Sequence, residues 1–273
     1  MRRLLVLIGI LFTSLGYAQR YEAGFFLGGS NYAGEFTEKL IEVKETHFAY
    51  GALFRYNFSR RFALRMNLYR GHISGTDQNN SSNMVLQSTR NLSFKSYITD
   101  LSITPEFNIL RFQSGHFRYK KTPFIFAGVT IFKFNPMGDY NGKWVALQPL
   151  GTEGQNIGRF RDRKYKLTQI AIPFGAGWKQ HIKRGWNISF EIRGYKTFTD
   201  YLDDVSTTYV PRDELLLAKG EISANMSNRT GEVGERIEYK ELDLRGNPDK
   251  KDWFYFTGFT LTYSFLPKLC KGF

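Results

Sequence analysis

The stretch DWFYFTGFTLTYSF at residues 252–265 decides the fold class, because its side chains alternate between two kinds. One set is aromatic or aliphatic: Trp253, Tyr255, Phe259, Leu261, Tyr263 and Phe265. The other set is polar: Asp252, Thr260, Thr262 and Ser264. Successive side chains of an extended strand point to opposite faces, so this period of two predicts a β-strand with one apolar face. In a transmembrane barrel that face meets lipid.

Similar runs of alternating residues recur along the chain. They occupy about 20–30, 47–58, 62–73, 92–110, 121–134, 165–179 and 186–193. The connections alternate between short ones (59–61, 111–120, 180–185) and long ones (31–46, 74–91, 135–164, 199–251). Bacterial membrane barrels show this asymmetry, with short periplasmic turns and long extracellular loops. We therefore predict an all-β fold, an eight-stranded antiparallel transmembrane β-barrel over residues 19–266. The alternative is ten strands, if ERIEYKELDL at 235–244 adds a hairpin.

The two ends of the chain predict its destination. Residues 1–18 carry Arg2 and Arg3, an apolar run and then Gly-Tyr-Ala, which is the pattern of a secretory signal peptide. Residues 267–273, PKLCKGF, are expected to form a short periplasmic tail. Cys270 is the single cysteine, so no disulfide can form within the chain. Together with the barrel pattern, the leader predicts an integral protein of the bacterial outer membrane.

The charge of the chain predicts anionic partners. The formal net charge is +13, and removal of Arg2 and Arg3 with the leader lowers it to +11. The bases are spread along the whole sequence, whereas nucleic-acid binders cluster them on one face or helix. We therefore expect lipid, the phosphates of lipopolysaccharide or an acidic protein as partners, and no nucleic acid.

Charged residues within the strands predict an ion-pair network inside the barrel. An eight-stranded barrel is just wide enough for side chains to fill, so a general pore is not expected. The residues expected in the lumenal network are Arg55, Arg65, Glu106, Glu191 and Arg193, with Lys95 and Asp100 as further inward candidates.

Motifs of catalysis and cofactor binding are absent from the sequence. It contains no Walker loop, dinucleotide fingerprint, zinc spacing or nucleophile elbow, and its four histidines are scattered. We expect no enzymatic activity, no cofactor and no metal. One possible ligand site remains open. TFTDYLDDVS at 197–206 holds Asp200, Asp203 and Asp204, and Glu153 can join them if two loops meet. Such carboxylates either hold calcium or form a solvated or arginine-paired turn.

Several loop and strand segments resemble one family. The most distinctive are YNGKWVALQPLGTEGQ (140–155), LTQIAIPFGAGWK (167–179), KTFTDYLDDVSTTY (196–209) and RGNPDKKDWFYFTGFTLTYSF (245–265). With FLGGSNYAGE at 26–35, they resemble the PorG-like outer-membrane barrels associated with type IX protein secretion and gliding motility.

The resemblance implies a non-catalytic component that anchors or stabilises a periplasmic ring, formed by a lipoprotein and its partner, beneath the outer membrane. Contact with the ring would use basic residues of the short turns: Arg60, Arg61, Arg118, Lys120, Lys121, Lys183 and Arg184. The same bases can instead face lipid headgroups. The alternative function is a stand-alone barrel that binds an extracellular ligand, lipopolysaccharide or calcium through its loops.

Overall fold

The computed structural model describes residues 21–37, 42–79, 90–241 and 243–265, so the expected leader (1–18) and tail (267–273) lie outside the described residues. The strands are β1 Tyr21–Ala33, β2 His47–Asn57, β3 Phe62–Thr76, β4 Ser93–Asn108, β5 Lys121–Ala127, β6 Val129–Lys133, β7 Pro136–Tyr140, β8 Lys143–Ala146, β9 Thr168–Lys183, β10 Trp186–Thr197 and β11 Trp253–Ser264. The helices are α1 Leu147–Leu150, α2 Arg212–Lys219 and α3 Glu221–Ser227.

The strands form a closed antiparallel ring. The positions around the ring follow one another as β1, β2, β3, β4, β5 with β6, β9, β10 and β11. Strand β1 pairs with β11 from Glu22–Ser264 to Ala33–Trp253, which closes the barrel. Strands β5 and β6 together fill one position between β4 and β9. The ring therefore has eight strands, and the prediction of an eight-stranded antiparallel barrel is confirmed.

The ten-strand alternative is wrong. Residues 235–241 and 243–244 contain no strand, and their β-pairing is limited to an isolated bridge between Thr208 and Leu244. The additional hairpin, β7–β8, lies instead in the connection after β6, where the sequence predicted only a loop. It touches the wall through two pairs between β4 and β7 and does not enter the ring.

Gly128 divides the strand position shared by β5 and β6. A Cβ at this residue would lie 2.1 Å from the carbonyl oxygen of Ile103 in β4, so only glycine fits. The break between β5 and β6 lies beside Pro105 of β4, and proline has no N–H to donate to the ladder of hydrogen bonds. Strand β4 itself keeps one register across the gap, from Ile103 opposite Val129 to Glu106 opposite Phe126.

The outside of the ring carries apolar side chains. The exposed, outward-facing residues include Phe25, Leu27, Leu64, Met66, Leu68, Leu101, Ile103, Ile125, Ile131, Ile170, Ile188, Phe190, Phe259 and Leu261. Aromatic residues flank this band at both ends; Tyr21 packs against Tyr56 at the turn end, and Trp253 against Phe174 at the loop end. Among the described residues, no helix has the length and apolarity needed to cross a membrane.

The inside of the ring is filled with side chains of two kinds. The half near the long loops holds a buried aromatic cluster, which includes Phe26, Tyr69, Phe132, Tyr195, Phe254 and Phe256. Phe26 stacks on Tyr69 at 4.5 Å between ring centroids, and Tyr195 stacks on Phe254 at 4.1 Å. The half near the short turns is charged.

Glu106 lies at the centre of the charged half. Its carboxylate is 3.1 Å from Arg55, 3.4 Å from Arg65 and 2.5 Å from the Lys179 ammonium group. Arg55 also pairs with Glu22 at 2.5 Å. All five of these side chains are buried, so each charge depends on the others for its neutralisation.

Glu191 extends the network along the barrel wall. It pairs with Arg65 at 2.8 Å and with Arg193 at 3.3 Å. Arg55, Arg65, Glu106, Glu191 and Arg193, the residues expected in the lumen, therefore lie in one network. Lys179 and Glu22 are members that the sequence did not single out.

Of the two further inward candidates, Asp100 is buried inside the barrel and Lys95 is not. The expectation for Lys95 was wrong because β4 alternates without a break. Its even-numbered residues face inward, so an odd-numbered residue lies on the outer side. There the Lys95 ammonium group sits 3.8 Å above the Trp144 ring of β8.

Replacing Glu106 tests the network. Glu106→Gln keeps the shape of the side chain but leaves Arg55, Arg65 and Lys179 short of one negative charge in a buried site. We expect the free energy of unfolding to fall by about 3–5 kcal/mol, measured by urea titration of the refolded barrel in lipid vesicles.

The control is Arg159→Gln, which breaks a solvent-exposed pair with Glu214 and should leave the urea midpoint unchanged. Equal urea midpoints for Glu106→Gln and the wild-type protein would show that the network does not stabilise the barrel.

Candidate functional site

The long loops fold into a compact layer over one end of the barrel. We name residues 134–167 and 198–252 the loop cap; it contains β7, β8 and the three helices. Helix α2 follows Pro211 at its N-cap. Phe160, Val210, Leu215 and Ala224 form a small apolar core within the cap. Residues 210–224 are therefore packed against the loop segment that contains Phe160.

Glu153 is the main polar connection within the loop cap. Its buried carboxylate accepts hydrogen bonds from the backbone N–H of Ser206 (2.9 Å) and of Thr207 (3.0 Å). It also accepts one from the Thr207 hydroxyl (2.6 Å) and pairs with Arg245 at 3.0 Å. GTEGQ and TFTDYLDDVS therefore do meet, and this carboxylate joins them. Because these donors satisfy its carboxylate, Glu153 holds the two loop segments together.

Arg245 continues this connection to the rest of the cap. Its guanidinium donates to the carbonyl oxygens of Asp204 (2.5 Å) and Ser227 (3.2 Å). The carbonyl of Arg245 accepts a hydrogen bond from Arg90 at 2.5 Å, and Arg90 pairs with Asp77 at 2.6 Å. The loop after β3 is thereby tied to the cap by buried, charge-assisted hydrogen bonds.

Asp204 also belongs to this connected region. It accepts hydrogen bonds from Thr152 and from the Tyr165 hydroxyl, the latter at 2.6 Å. Its φ of 66° is in the left-handed region, which a tight turn requires and Asp tolerates. Burial raises the pKa of Asp204 to about 6, while Arg245 opposes the rise.

Two other carboxylates of the cap meet a third carboxylate from the segment after β1. Glu35, Asp203 and Asp252 each offer an oxygen, and these oxygens lie within 4.8 Å of one another. We name this group the acidic cluster. The Tyr32 hydroxyl donates to Asp203 and lies 3.2 Å from Asp252, so it bridges two of the carboxylates.

Asp200 lies next to the acidic cluster. Its Oδ2 accepts a hydrogen bond from Ser206 at 2.7 Å, whereas its buried Oδ1 has no hydrogen-bond partner among the described residues. Its negative charge acts on both Glu35 and Asp252. Four carboxylates therefore influence one another in this region.

Burial and mutual repulsion raise the pKa values of the cluster. Burial first, then repulsion from Asp252 and Asp200, raises the pKa of Glu35 to about 9. Burial and the charge of Glu35 raise the pKa of Asp203 well above its usual range. Burial and the charge of Asp203 raise the pKa of Asp252 well above its usual range. Carboxylates this close cannot all ionise unless a cation joins them.

The ring of strands explains why these carboxylates meet. Strands β10, β11 and β1 are neighbours, and Trp253 at the start of β11 pairs with both Ala33 of β1 and Lys196 of β10. Glu35 follows β1 by two residues and Asp252 immediately precedes β11. The sequence analysis missed both residues, because they are far apart in the chain. The pairing of the first and last strands was the signal that could have found them.

The four loop residues singled out from the sequence therefore divide into two groups. Asp203 belongs to the acidic cluster and Asp200 lies beside it. Glu153 and Asp204 lie in the connection around Arg245. They do not form a single ligand site.

A serine and two histidines lie at the rim of the barrel near the start of β2. The rings of His47 and His72 stack at 4.0 Å, and His47 Nε2 is 2.6 Å from the Ser74 hydroxyl. This distance is within reach of a general base. Ser74, however, donates its hydroxyl hydrogen to Glu45, which also approaches the same His47 nitrogen. A catalytic carboxylate would instead orient the histidine through Nδ1.

The opposite end of the barrel is basic. The seven turn residues predicted to contact a partner (Arg60, Arg61, Arg118, Lys120, Lys121, Lys183 and Arg184) are all exposed there. Arg111, which the sequence analysis did not select, is exposed at the same end. The turns 58–61, 109–121 and 182–185 contain no Asp or Glu. Arg60 is fixed in place by a 2.8 Å hydrogen bond to Gln113 and by its position over the Tyr119 ring.

Replacing Glu153 tests the connection within the loop cap. Glu153→Gln removes the charge that faces buried Arg245 and one acceptor of the loop N–H groups. We expect trypsin to cut the 199–251 segment faster, at Lys219, Arg229, Arg236 or Lys240, while the strands remain resistant. Digestion followed by mass spectrometry measures this.

Glu241→Gln is the matched control, because Glu241 pairs with Arg159 on the exposed side of the cap and its loss should leave the digest unchanged. A Glu153→Gln digest identical to that of the wild-type protein would contradict the structural role of Glu153.

Comparison with solved structures finds small bacterial barrels. Neisserial surface protein A aligns with a TM-score of 0.41 and 8% identity, over 90% of this chain and 97% of that one. The N-terminal β-barrel domain of Pseudomonas aeruginosa OprF gives 0.37 and 9%, over 89% and 97%. Yersinia pestis Ail, in complex with a heparin analogue, gives 0.36 and 8%, over 89% and 97%. Scores this low carry no argument about function.

Sequence comparison adds a family without a known activity. No curated protein matches the chain. Residues 1–217 match the family described as Domain of unknown function (DUF6089), and this match covers well over half of the chain. The chain therefore belongs to the DUF6089 family.

Proposed function

We propose that this protein is an integral barrel of the bacterial outer membrane that anchors or stabilises the periplasmic ring of the type IX secretion apparatus. It would act by binding and would catalyse no reaction. The observation that carries the proposal is the turn end of the barrel, where exposed bases occur without acidic residues. The resemblance to PorG-like barrels supplies the identity of the partner.

The distribution of polarity supports the membrane location. The barrel exposes aliphatic and aromatic residues on its outer wall and buries Arg55, Arg65, Glu106 and Glu191 inside, the reverse of a water-soluble protein. The continuous strands of the wall have 11 to 16 residues. A tilted strand needs about 9–11 residues to cross a bilayer. Lipid and lipopolysaccharide would surround this wall, with the aromatic residues at the headgroups.

A single charge on the outer wall tests the membrane location. Leu101 lies near the middle of β4 with 51% of its surface exposed, among outward Leu68 and Ile131. In a bilayer, Leu101→Arg should cost about 2–4 kcal/mol, because the charge sits at the midplane. Urea titration in lipid vesicles measures this cost.

Phe117→Arg is the matched control at the turn end. Phe117 is even more exposed than Leu101, and an arginine at the interface should cost only about 0–1 kcal/mol. Equal costs at the two positions would place the middle of β4 outside hydrocarbon and contradict the membrane location.

The path of the chain supports the orientation. The start of β1 and the end of β11 both lie on the turn side, where the N–H of Phe265 donates to the carbonyl oxygen of Tyr21 at 2.9 Å. Short turns and both chain ends face the periplasm in bacterial barrels of even strand number. The basic end would then face a periplasmic partner, and the loop cap would face outward.

Charge supports contact between the turns and an acidic partner. Eight exposed bases lie in the turns at 58–61, 109–121 and 182–185, without a neutralising carboxylate in the same segments. Such a surface attracts an anionic protein surface and speeds its association. An attraction of this kind weakens at high ionic strength.

Reversal of charge at the turn end tests the partner. We expect that a triple variant with Arg61→Glu, Arg118→Glu and Lys183→Glu no longer co-purifies with the ring lipoprotein. A mild-detergent pull-down followed by mass spectrometry measures this. Arg60 is left intact because its side chain holds Gln113 and Tyr119.

The matched control reverses three exposed bases at the loop end: Lys143, Arg161 and Lys164. It should retain the ring lipoprotein. Normal recovery of the ring with the turn variant would eliminate the turns as the docking surface. Recovery of the wild-type barrel alone would instead favour a stand-alone barrel that binds a ligand through its loops.

A further inference from the structure

We propose that the acidic cluster, Glu35, Asp203 and Asp252, is a Ca²⁺ site that fastens the loop ends of β1, β10 and β11 to one another. The inference is independent of the secretion role. It also differs from the calcium site considered from the sequence, because Glu153 and Asp204 take no part.

The donor set defines the class of cation. Three carboxylate oxygens lie within 4.8 Å of one another, and the Tyr32 hydroxyl touches two of the same carboxylates. All of these donors are oxygens, and hard cations such as Ca²⁺ prefer oxygen ligands. Zn²⁺ sites are built mainly from sulfur and nitrogen. Mg²⁺ demands near-ideal octahedral geometry, whereas Ca²⁺ accepts irregular ligand sets.

Buried oxygens without donors point independently to a ligand. Asp200 is only 3% exposed, yet its Oδ1 has no hydrogen-bond partner among the described residues. Its charge acts on Glu35 and Asp252, which places it beside the cluster. Glu35 Oε2 is likewise shielded and without a partner there. A buried carboxylate oxygen without a donor is costly, and a bound cation would satisfy it.

The carboxylates of the cluster have no close ion pair among the described residues, although the charge of Lys251 acts on Asp200. Within the described ranges, none of Glu35, Asp200, Asp203 and Asp252 forms an ion pair with Lys, Arg or His at 4.0 Å or less. By contrast, the buried carboxylate of Glu153 pairs with Arg245. Glu153 therefore has an arginine partner, whereas the carboxylates of the acidic cluster and Asp200 have no such partner within the described ranges.

The backbone fixes the cluster before any ion binds. Asp203 Oδ1 accepts the N–H of Val205 at 2.8 Å, and Asp252 Oδ2 accepts the N–H of Leu202 at 2.9 Å. Each carboxylate thus uses one oxygen for the backbone and turns the other toward Tyr32. A preorganised site of this kind loses little freedom on binding. The ion would link the segment after β1, the segment after β10 and the residue before β11.

Binding of Tb³⁺ and Ca²⁺ to the full-length barrel in detergent tests the site, after treatment with EDTA and removal of the chelator. Tyr32 touches the cluster, so excitation of tyrosine should sensitise Tb³⁺ emission, and Ca²⁺ should displace the Tb³⁺. Calorimetry should give one Ca²⁺ per chain with a dissociation constant of about 10⁻³ M or lower. Ca²⁺ should also slow tryptic cleavage of the loop cap.

Two variants separate the site from folding. Glu35→Gln, at a partly exposed position, and Asp252→Asn should each weaken Ca²⁺ binding about tenfold or more, because affinity follows ligand charge. Asp162→Asn, an exposed acid elsewhere in the cap, is the matched control and should bind like the wild-type protein. Circular dichroism verifies that each variant retains its strands.

Two results would overturn the proposal. One is a folded wild-type barrel that shows no saturable binding of Ca²⁺ up to about 10⁻² M, well above the weakest extracellular sites. The other is undiminished binding in folded Glu35→Gln, which would place any ion elsewhere. In either case, protonation of the carboxylates and not a bound Ca²⁺ would allow them to lie so close together.

Discussion

The pairing of β1 with β11 is the constraint on which the rest of the structure depends. A backbone N–H or C=O left open in hydrocarbon costs several kcal/mol, so a sheet can cross a membrane only when its edges are joined. Here the first and last strands share twelve residue pairs, from Glu22–Ser264 to Ala33–Trp253, and no edge of the ring remains. Closure then determines which side chains meet, because residues more than two hundred positions apart become neighbours. The lumenal carboxylate Glu22 and the rim carboxylates Glu35 and Asp252 owe their surroundings to this one seam.

Inside the ring, closure creates a narrow space that the protein fills in two ways. Near the turns the buried cations Arg55, Arg65, Lys179 and Arg193 form ion pairs with the buried anions Glu22, Glu106 and Glu191. Near the loops the same inward positions carry aromatic rings instead. Aromatic rings pack without leaving unpaired charges and form a base for the cap. The charged half requires that every partner is present, since a buried charge that loses its counterion is strongly destabilising.

The sequence predicted those features that depend on local patterns. The strand count and the outward-facing apolar residues followed from alternation, which each strand shows by itself, and Asp100 and Glu106 lie inside the barrel as predicted. Lys95 was not, because an odd-numbered residue cannot share the inner face of an unbroken β4 with them. The β7–β8 hairpin was missed because its polar residues look like an ordinary loop. Glu35 and Asp252 were missed because no local pattern records that β1 and β11 are neighbours. Asp204 was grouped with Asp203 on sequence proximity and Glu153 on the condition that two loops meet, whereas hydrogen bonds to Arg245, Ser206 and Tyr165 separate them from Asp203.

The filled interior gives the two ends of the barrel separate roles. The turn end is basic and lacks carboxylates in its turns, while the loop end gathers buried carboxylates, one of them paired with Arg245 and the others not. A barrel with an open lumen could pass an ion or a segment of chain from one end to the other, but here ion pairs and stacked rings occupy the described interior. Any influence of the loops on a partner at the turns would have to pass through the strands themselves. This arrangement suits a rigid anchor, in which one end is held by its own loops and the other remains available for docking.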